Sequence, residues 1–461
     1  MLVIIASAIL GIFIIKAEML RPKIRGGEDF LRMSSVVYFI VFVVTQIMLQ
    51  VQNLEHSFDY SFRLYKYNLN DSIFLYVELV AIIGYISILV GYYGSKNFIE
   101  FIFSLKKLYL NKEMTEKKPC IGMTSLVILG IAFGTIGLLS LMVYAKGAGG
   151  FLELIKYSAY FRSNPVVSKA AFLKNIAPFV LVSSFFFYAV TMLAETKKQK
   201  IFSKILFSFS FIFSLLVLFV QAGRLNLISY IMLFFIVGFI KNNKINWKVV
   251  IIGSVFFITI VLLGKELFHI LINPDLVLNK IKTVDEGHKS VMLGVMSEFY
   301  FPIFTLANTI YVVPKIISFR YLQDLWLAVA YLLPQRLLEL KLPDPIAFIN
   351  THQFVAKGGI PVDLLSVGYF SLGIIGVLIL TFIYGATLRL FEKLFSPDQK
   401  HIFLVFRVAW MFFLSFRVMY GDPQVALKNC FYLLFGTFSI LAIMFVHKHL
   451  AGFHPETPDG N

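Results

Sequence analysis

Residues Ile205–Ile240 read ILFSFSFIFSLLVLFVQAGRLNLISYIMLFFIVGFI. Two apolar runs are separated only by Gln221-Ala222-Gly223-Arg224. Each run is about as long as a membrane crossing requires, roughly 20 residues at ~1.5 Å rise. The pair reads as two membrane helices joined by a tight turn.

The same reading extends over the chain. Of 461 residues, 58% are hydrophobic and 15% are charged. Mean hydropathy is +0.80. A soluble domain carries about 25% charged residues, and it could not bury this much apolar surface. Apolar spans are expected at residues 2–15, 34–52, 72–93, 121–145, 170–194, 205–222, 225–240, 249–267, 367–388, 401–419 and 426–446. The fold class is therefore an all-α polytopic membrane protein with about 11 transmembrane helices, or 12–13 if the long loop also crosses. The first span has no basic n-region, so it reads as an uncleaved anchor.

Charge sets the orientation. Lys and Arg concentrate in short cytoplasmic loops. With the N-terminus outside and the C-terminus inside, inner segments carry 22 basic and 11 acidic residues, and outer segments 15 and 13. Most of the net +16 is thus a topology signal. The basic residues form no stripe, and nucleic acid is not expected as a partner. The two cysteines, Cys120 and Cys430, exclude a multi-bridge disulfide framework.

The division is then 1–267, an N-terminal bundle; 268–366, a large outer loop; 367–446, three C-terminal spans; and 447–461, a tail. The outer loop contains apolar stretches (residues 291–313 and 325–333) interrupted by proline, so short or re-entrant helices are expected there. Residues 95–112 read as an interfacial amphipathic helix. No internal repeat is visible, which weighs against a transporter built from inverted halves.

Ionisable groups near membrane depth are functional candidates. Arg224 opens the seventh span, where a helix N-terminus adds free N–H donors. Arg417 closes the tenth span, followed by Tyr420, Gly421 and Asp422. Arg162 lies in an outer loop. Each has a plain alternative: a snorkelling arginine, an Arg417–Asp422 pair, a solvated charge. Three arginines at one face suit phosphate, because guanidinium binds it through a fixed fork. Arg407, about 80° away from Arg417 around the same helix, is expected to snorkel inward. Glu78, mid-span, is expected to pair with a buried Lys or Arg. His352 and Asp363 are the candidate bases, and Asp363 could equally cap the next helix. No D-x-D pair occurs, so a metal-free mechanism with no metal site and no cofactor is the better fit.

Several of these stretches are similar to a known family. Val220-Gln221-Ala222-Gly223-Arg224-Leu225-Asn226 resembles the glycine–arginine element of bacterial O-antigen and enterobacterial-common-antigen polymerases, the Wzy type. Tyr160-Phe161-Arg162-Ser163-Asn164 is similar to their second arginine element. The stretch from Leu332-Leu333-Pro334 to Pro343-Asp344-Pro345 resembles part of their outer loop, and residues 367–376 resemble the start of the span after it. Arg417 sits where they carry a further arginine. The related ligases carry a histidine just before the span that begins here at Val367; Asp363 is nearest and His352 is farther upstream.

The resemblance implies a GT-C-like fold in the bacterial inner membrane. It implies polymerisation of undecaprenyl-pyrophosphate-linked repeat units into a surface polysaccharide at the extracytoplasmic face. Arg162, Arg224 and Arg417 would bind pyrophosphate, and His352 or Asp363 would deprotonate the acceptor. Tyr300, Tyr369, Tyr420 and Asp422 could touch glycan. Membrane lipid, a chain-length regulator and a flippase are the implied partners. The rivals are an O-antigen ligase, a flippase for lipid-linked oligosaccharide, and a membrane scaffold.

Overall fold

The computed structural model describes residues 1–21, 29–51, 69, 71–101, 122–156, 171–221, 224–242, 299–333, 341–354, 359–395 and 401–451. Among them every regular element is a helix. Among the described residues, eight helices are long and apolar enough to cross a membrane: residues 2–19, 30–51, 72–101, 123–147, 171–193, 197–221, 374–394 and 423–446. The protein is a polytopic helical membrane protein. The expected span at 249–267 and the stretch from 268 to 298 lie outside the described residues, as does everything beyond Phe101 in the expected interfacial helix.

The N-terminal half supplies α1 (Leu2–Met19), α2 (Phe30–Val51) and α3 (Asp71–Gly94), then α4 (Met123–Gly147), α5 (Phe179–Leu193), α6 (Lys197–Gln221) and α7 (Arg224–Asn242). In place of the hydrophobic driving force, helices in lipid associate through close packing and interhelical hydrogen bonds. Both are present. The Ser183 hydroxyl of α5 donates to Gly130 O of α4 at 2.6 Å, and a Cβ on Gly137 would meet the Val180 nitrogen at 2.7 Å. Helix α2 has a π-helical turn at Ile40–Val44.

The C-terminal part departs from the expected order. After α8 (Phe301–Val312), α9 (Gln323–Ala330) and α10 (Ile346–His352) come α11 (Leu364–Leu372) and α12 (Ile374–Leu394). The sequence reads as one continuous span over 367–388. The structure breaks it at Gly373, with φ +63° and ψ −142°, a conformation essentially confined to glycine. The two halves fold back on each other, and Gly368 and Gly376 meet backbone to backbone. The signal was three glycines in one apolar run.

The level of this hairpin follows from α3. Just past the midpoint of α3, a Cβ on Gly84 would touch the side chains of Leu365, Tyr38 and Thr381. Nearer the start of α3, Tyr76 packs edge-on against Tyr369. Helix α11 therefore begins halfway along the bundle and runs toward the end where α3 begins. Helix α8 runs beside it in the same sense: Phe301 and Phe304 pack in the main core with Leu364 and Leu365, while Val312 joins Val367 and Phe370. At 12 residues α8 is about 18 Å long, against a hydrocarbon core of about 30 Å. Helix α8, from the segment expected as the outer loop, and α11, at its junction with the expected span, are thus two half-length helices packed on the bundle.

The last pair is α13 (His401–Ser415) and α14 (Pro423–Ala451). Helix α13 is the central helix. Ile402, Phe403 and every residue from Val405 to Met411 are buried, and it packs against α2, α5, α7, α12 and α14. Helix α14 continues to Ala451, beyond the expected end of the span at 446.

Candidate functional site

Helix α13 has 15 residues, about 22 Å, and ends before it could cross a bilayer. The chain then makes one 3-10 turn, Phe416–Val418. Arg417 sits in that turn. The Tyr384 hydroxyl donates toward Leu414 O and lies 2.9 Å from Ser34 Oγ, which fixes Leu414 near the bundle's middle. Arg417 is one turn further on. It is partly buried, beside the first residues of α7.

The turn is held by two aspartates used as helix caps. Asp422 Oδ1 accepts from the N–H groups of Gln424 and Val425 at 2.8 and 3.4 Å, with Pro423 at the first position of α14. Asp363 Oδ1 accepts from Leu365 N and Ser366 N at 2.9 and 3.0 Å, and Oδ2 accepts from the Ser366 hydroxyl. Gly421 joins the two caps. Its N–H donates to Val362 O at 2.7 Å, and any Cβ would strike the backbone of Asp363 and Leu364. Only glycine fits there.

Neither aspartate pairs with Arg417. Among the described residues no carboxylate forms a salt bridge with it, and Lys428 is the cation facing Asp422. Arg417 Nε donates to Phe413 O at 3.2 Å. The guanidinium lies over the Phe413 ring, 4.4 Å from its centroid, and 6.0 Å from that of Tyr420. Nη1 is shut off from solvent and has no hydrogen-bond partner. A desolvated donor left unsatisfied costs about 1–3 kcal/mol or more when charged. The recess beside it is lined by Phe412, Phe413 and Phe416 of α13 and its turn, Tyr432 of α14, and Leu225, Asn226 and Ser229 of α7.

Helix α7 begins at Arg224. The glycine–arginine helix and Arg417, 193 positions apart, thus face one recess. The described residues include the Arg224 backbone but not its side chain, and Arg162 lies outside them. Asn226, Ser229, Tyr230 and Tyr432 also line the recess and were not singled out from sequence; Asn226 and Ser229, two and five positions after Arg224 on one helix start, were the available signal.

The other candidates separate. His352 ends α10 with its ring over Phe348, centroids 4.3 Å apart, and is exposed. Asp363 is fully buried. Tyr300 is enclosed at the start of α8, Tyr369 packs on Tyr76, and Tyr420 packs on Phe301 at 5.2 Å. Arg407 does not snorkel: Nη2 meets Glu392 Oε1 and Nη1 meets Phe395 O, both at 2.6 Å. Arg320 is likewise closed, in a fork on Asp324 at 2.6 and 2.7 Å with a third bond to Asp344 O. The expected Lys or Arg partner of Glu78 is not found among the described residues.

A partly buried guanidinium stacked on an aromatic ring, with one nitrogen shut off from solvent and no counter-charge among the described residues, is a seat for a bidentate anion. No family model, curated protein or solved structure matches the chain at a significant level.

Proposed function

We propose that the protein polymerises undecaprenyl-pyrophosphate-linked oligosaccharide repeat units by metal-independent glycosyl transfer at the extracytoplasmic face of a bacterial inner membrane. The observation that supports this most is the unpaired Arg417 guanidinium facing the start of the Arg224 helix across one recess. The aromatic wall of that recess suits an isoprenoid chain beside its phosphate. In the reaction the bond between the donor's anomeric carbon and pyrophosphate oxygen breaks, and an acceptor hydroxyl oxygen bonds that carbon. Arg417, with Arg224 and Arg162, stabilises the departing pyrophosphate in a water-poor site. The hydroxyl proton goes to a base. His352 has an exposed ring for this, whereas Asp363 already accepts three hydrogen bonds as a cap.

The test is reconstitution in liposomes with lipid-linked repeat units and a chelator, with products resolved by length. A ladder is expected, and Arg417→Lys, which keeps the charge and loses the fork, is expected to abolish it. A transport reading has one observation in its favour: half-length helices α8 and α11 meet at mid-bundle, as discontinuous helices do in transporters. Translocation without a ladder would establish that reading over polymerisation. Transfer of a single glycan to a non-polyprenyl acceptor would favour a ligase.

A further inference from the structure

A second polar cluster lies between α1, α2 and α3. Glu78, two turns into α3, is completely buried, and neither carboxylate oxygen has a hydrogen-bond partner. Its polar neighbour is the Ser7 hydroxyl of α1, which donates to Val3 O at 3.0 Å. Helices α1 and α2 run antiparallel. Arg21 meets Asp29 at 2.7 Å at one end, Arg32 meets Glu18 at 3.4 Å, and Gly11 packs on Val43. One turn further along, Ser7 comes level with Gln46.

Gln46 is also completely buried, and both atoms of its carboxamide are unpaired. Gln50, four residues on and so on the same face, is half-buried, with Nε2 unpaired. The two glutamines make a polar lane leading inward along the last turns of α2. Just before Gln46, α2 carries the π-helical turn at Ile40–Val44, with the Thr45 hydroxyl donating to Ile40 O at 2.8 Å. Such bulges are rare, and they concentrate at functional sites because they re-aim the side chains that follow.

An uncompensated carboxylate inside an apolar bundle is too costly to leave alone. The Glu78 carboxylate, the Ser7 hydroxyl beside it and the carboxamide oxygen of Gln46, level with Ser7 on α2, are hard oxygen ligands. One carboxylate balances one positive charge. Calcium takes six to eight oxygens and usually several carboxylates, so a divalent ion is a poor match. We propose that Glu78, Gln46 and Ser7 form a binding site for a monovalent cation that ties α1 and α2 to α3. The site is separate from the Arg417 recess and does not depend on the proposed glycosyl transfer.

The test uses the full chain in detergent or nanodiscs. Thermal unfolding is followed while sodium or potassium replaces N-methylglucamine at constant ionic strength and pH. A saturable rise in Tm of a few degrees is expected. Glu78→Gln and Gln46→Leu are expected to flatten it. Because a variant could fail to fold, binding of radiolabelled sodium to the wild type is measured in parallel, with unlabelled lithium, sodium and potassium as competitors; saturable binding is expected. A Tm that follows pH but ignores the cation would assign a proton to Glu78 and overturn the site. So would a Glu78→Gln variant that keeps the response, or the lack of saturable sodium binding.

Discussion

Arg407 and Arg417 lie ten residues apart on the same central stretch of chain, the first buried and the second partly buried, and their surroundings are opposite. Arg407 has a carboxylate at 2.6 Å, a carbonyl at 2.6 Å and the Phe30 ring within 5.7 Å. Glu392 in turn accepts from Phe30 N at 3.1 Å, so the pair also ties α2 to α12. Arg417 has one backbone carbonyl, two aromatic rings and an Nη1 with nothing to bond. The first arginine is consumed by the fold. The second is held ready by it, and the difference comes from where a carboxylate was placed: Glu392 faces Arg407, while Asp422, five residues from Arg417, caps a helix.

This contrast can be broken experimentally. The largest effect belongs to the closed pair. Glu392→Ala leaves Arg407 charged and buried, and a loss of about 3–5 kcal/mol is expected, visible as a collapse in folded yield and a lowered Tm. Next comes the hinge that builds the half-helix beside the open arginine. Gly373→Ala forces a Cβ into φ +63° and ψ −142°, and a loss of about 1–3 kcal/mol is expected in the same assay. Asp363→Ala removes a cap and should lower stability by about 0.5–2 kcal/mol, while Asp363→Asn should keep most of it. If Asp363→Asn folds normally and still makes polymer, Asp363 is a cap and not the base. The smallest effect on stability is expected for Arg417→Met, within about 1 kcal/mol of wild type, because one carbonyl hydrogen bond is lost and a buried charge is relieved. A drop in stability as large as that of Glu392→Ala would show an unseen structural partner for Arg417.

How much of this was legible beforehand differs between the two regions. Helix existence was plain from hydropathy, because long apolar runs such as residues 121–145 and 205–240 have no other stable state in lipid. The start of a helix at Arg224 followed from the break at Gly223, and Asp363 as a possible cap followed from its place before an apolar run. The hairpin at Gly373 was missed. Hydropathy averages over direction, so a run that turns back on itself looks the same as one that crosses. Pairing was legible least. Nothing in the spacing of Arg407, Glu392 and Arg417 says which arginine meets the carboxylate, because that choice is made by the packing of α12 against α13.

The central claim is that the unpaired guanidinium of Arg417 is an anion seat. It is tested most directly by equilibrium binding of undecaprenyl pyrophosphate to the purified protein and to Arg417→Gln, both shown to be folded by their unfolding curves. The account predicts saturable binding by the wild type and at least a tenfold weaker constant for the variant, about 1.4 kcal/mol or more, as expected for the loss of a charge-assisted fork. Equal binding by the two proteins would contradict it.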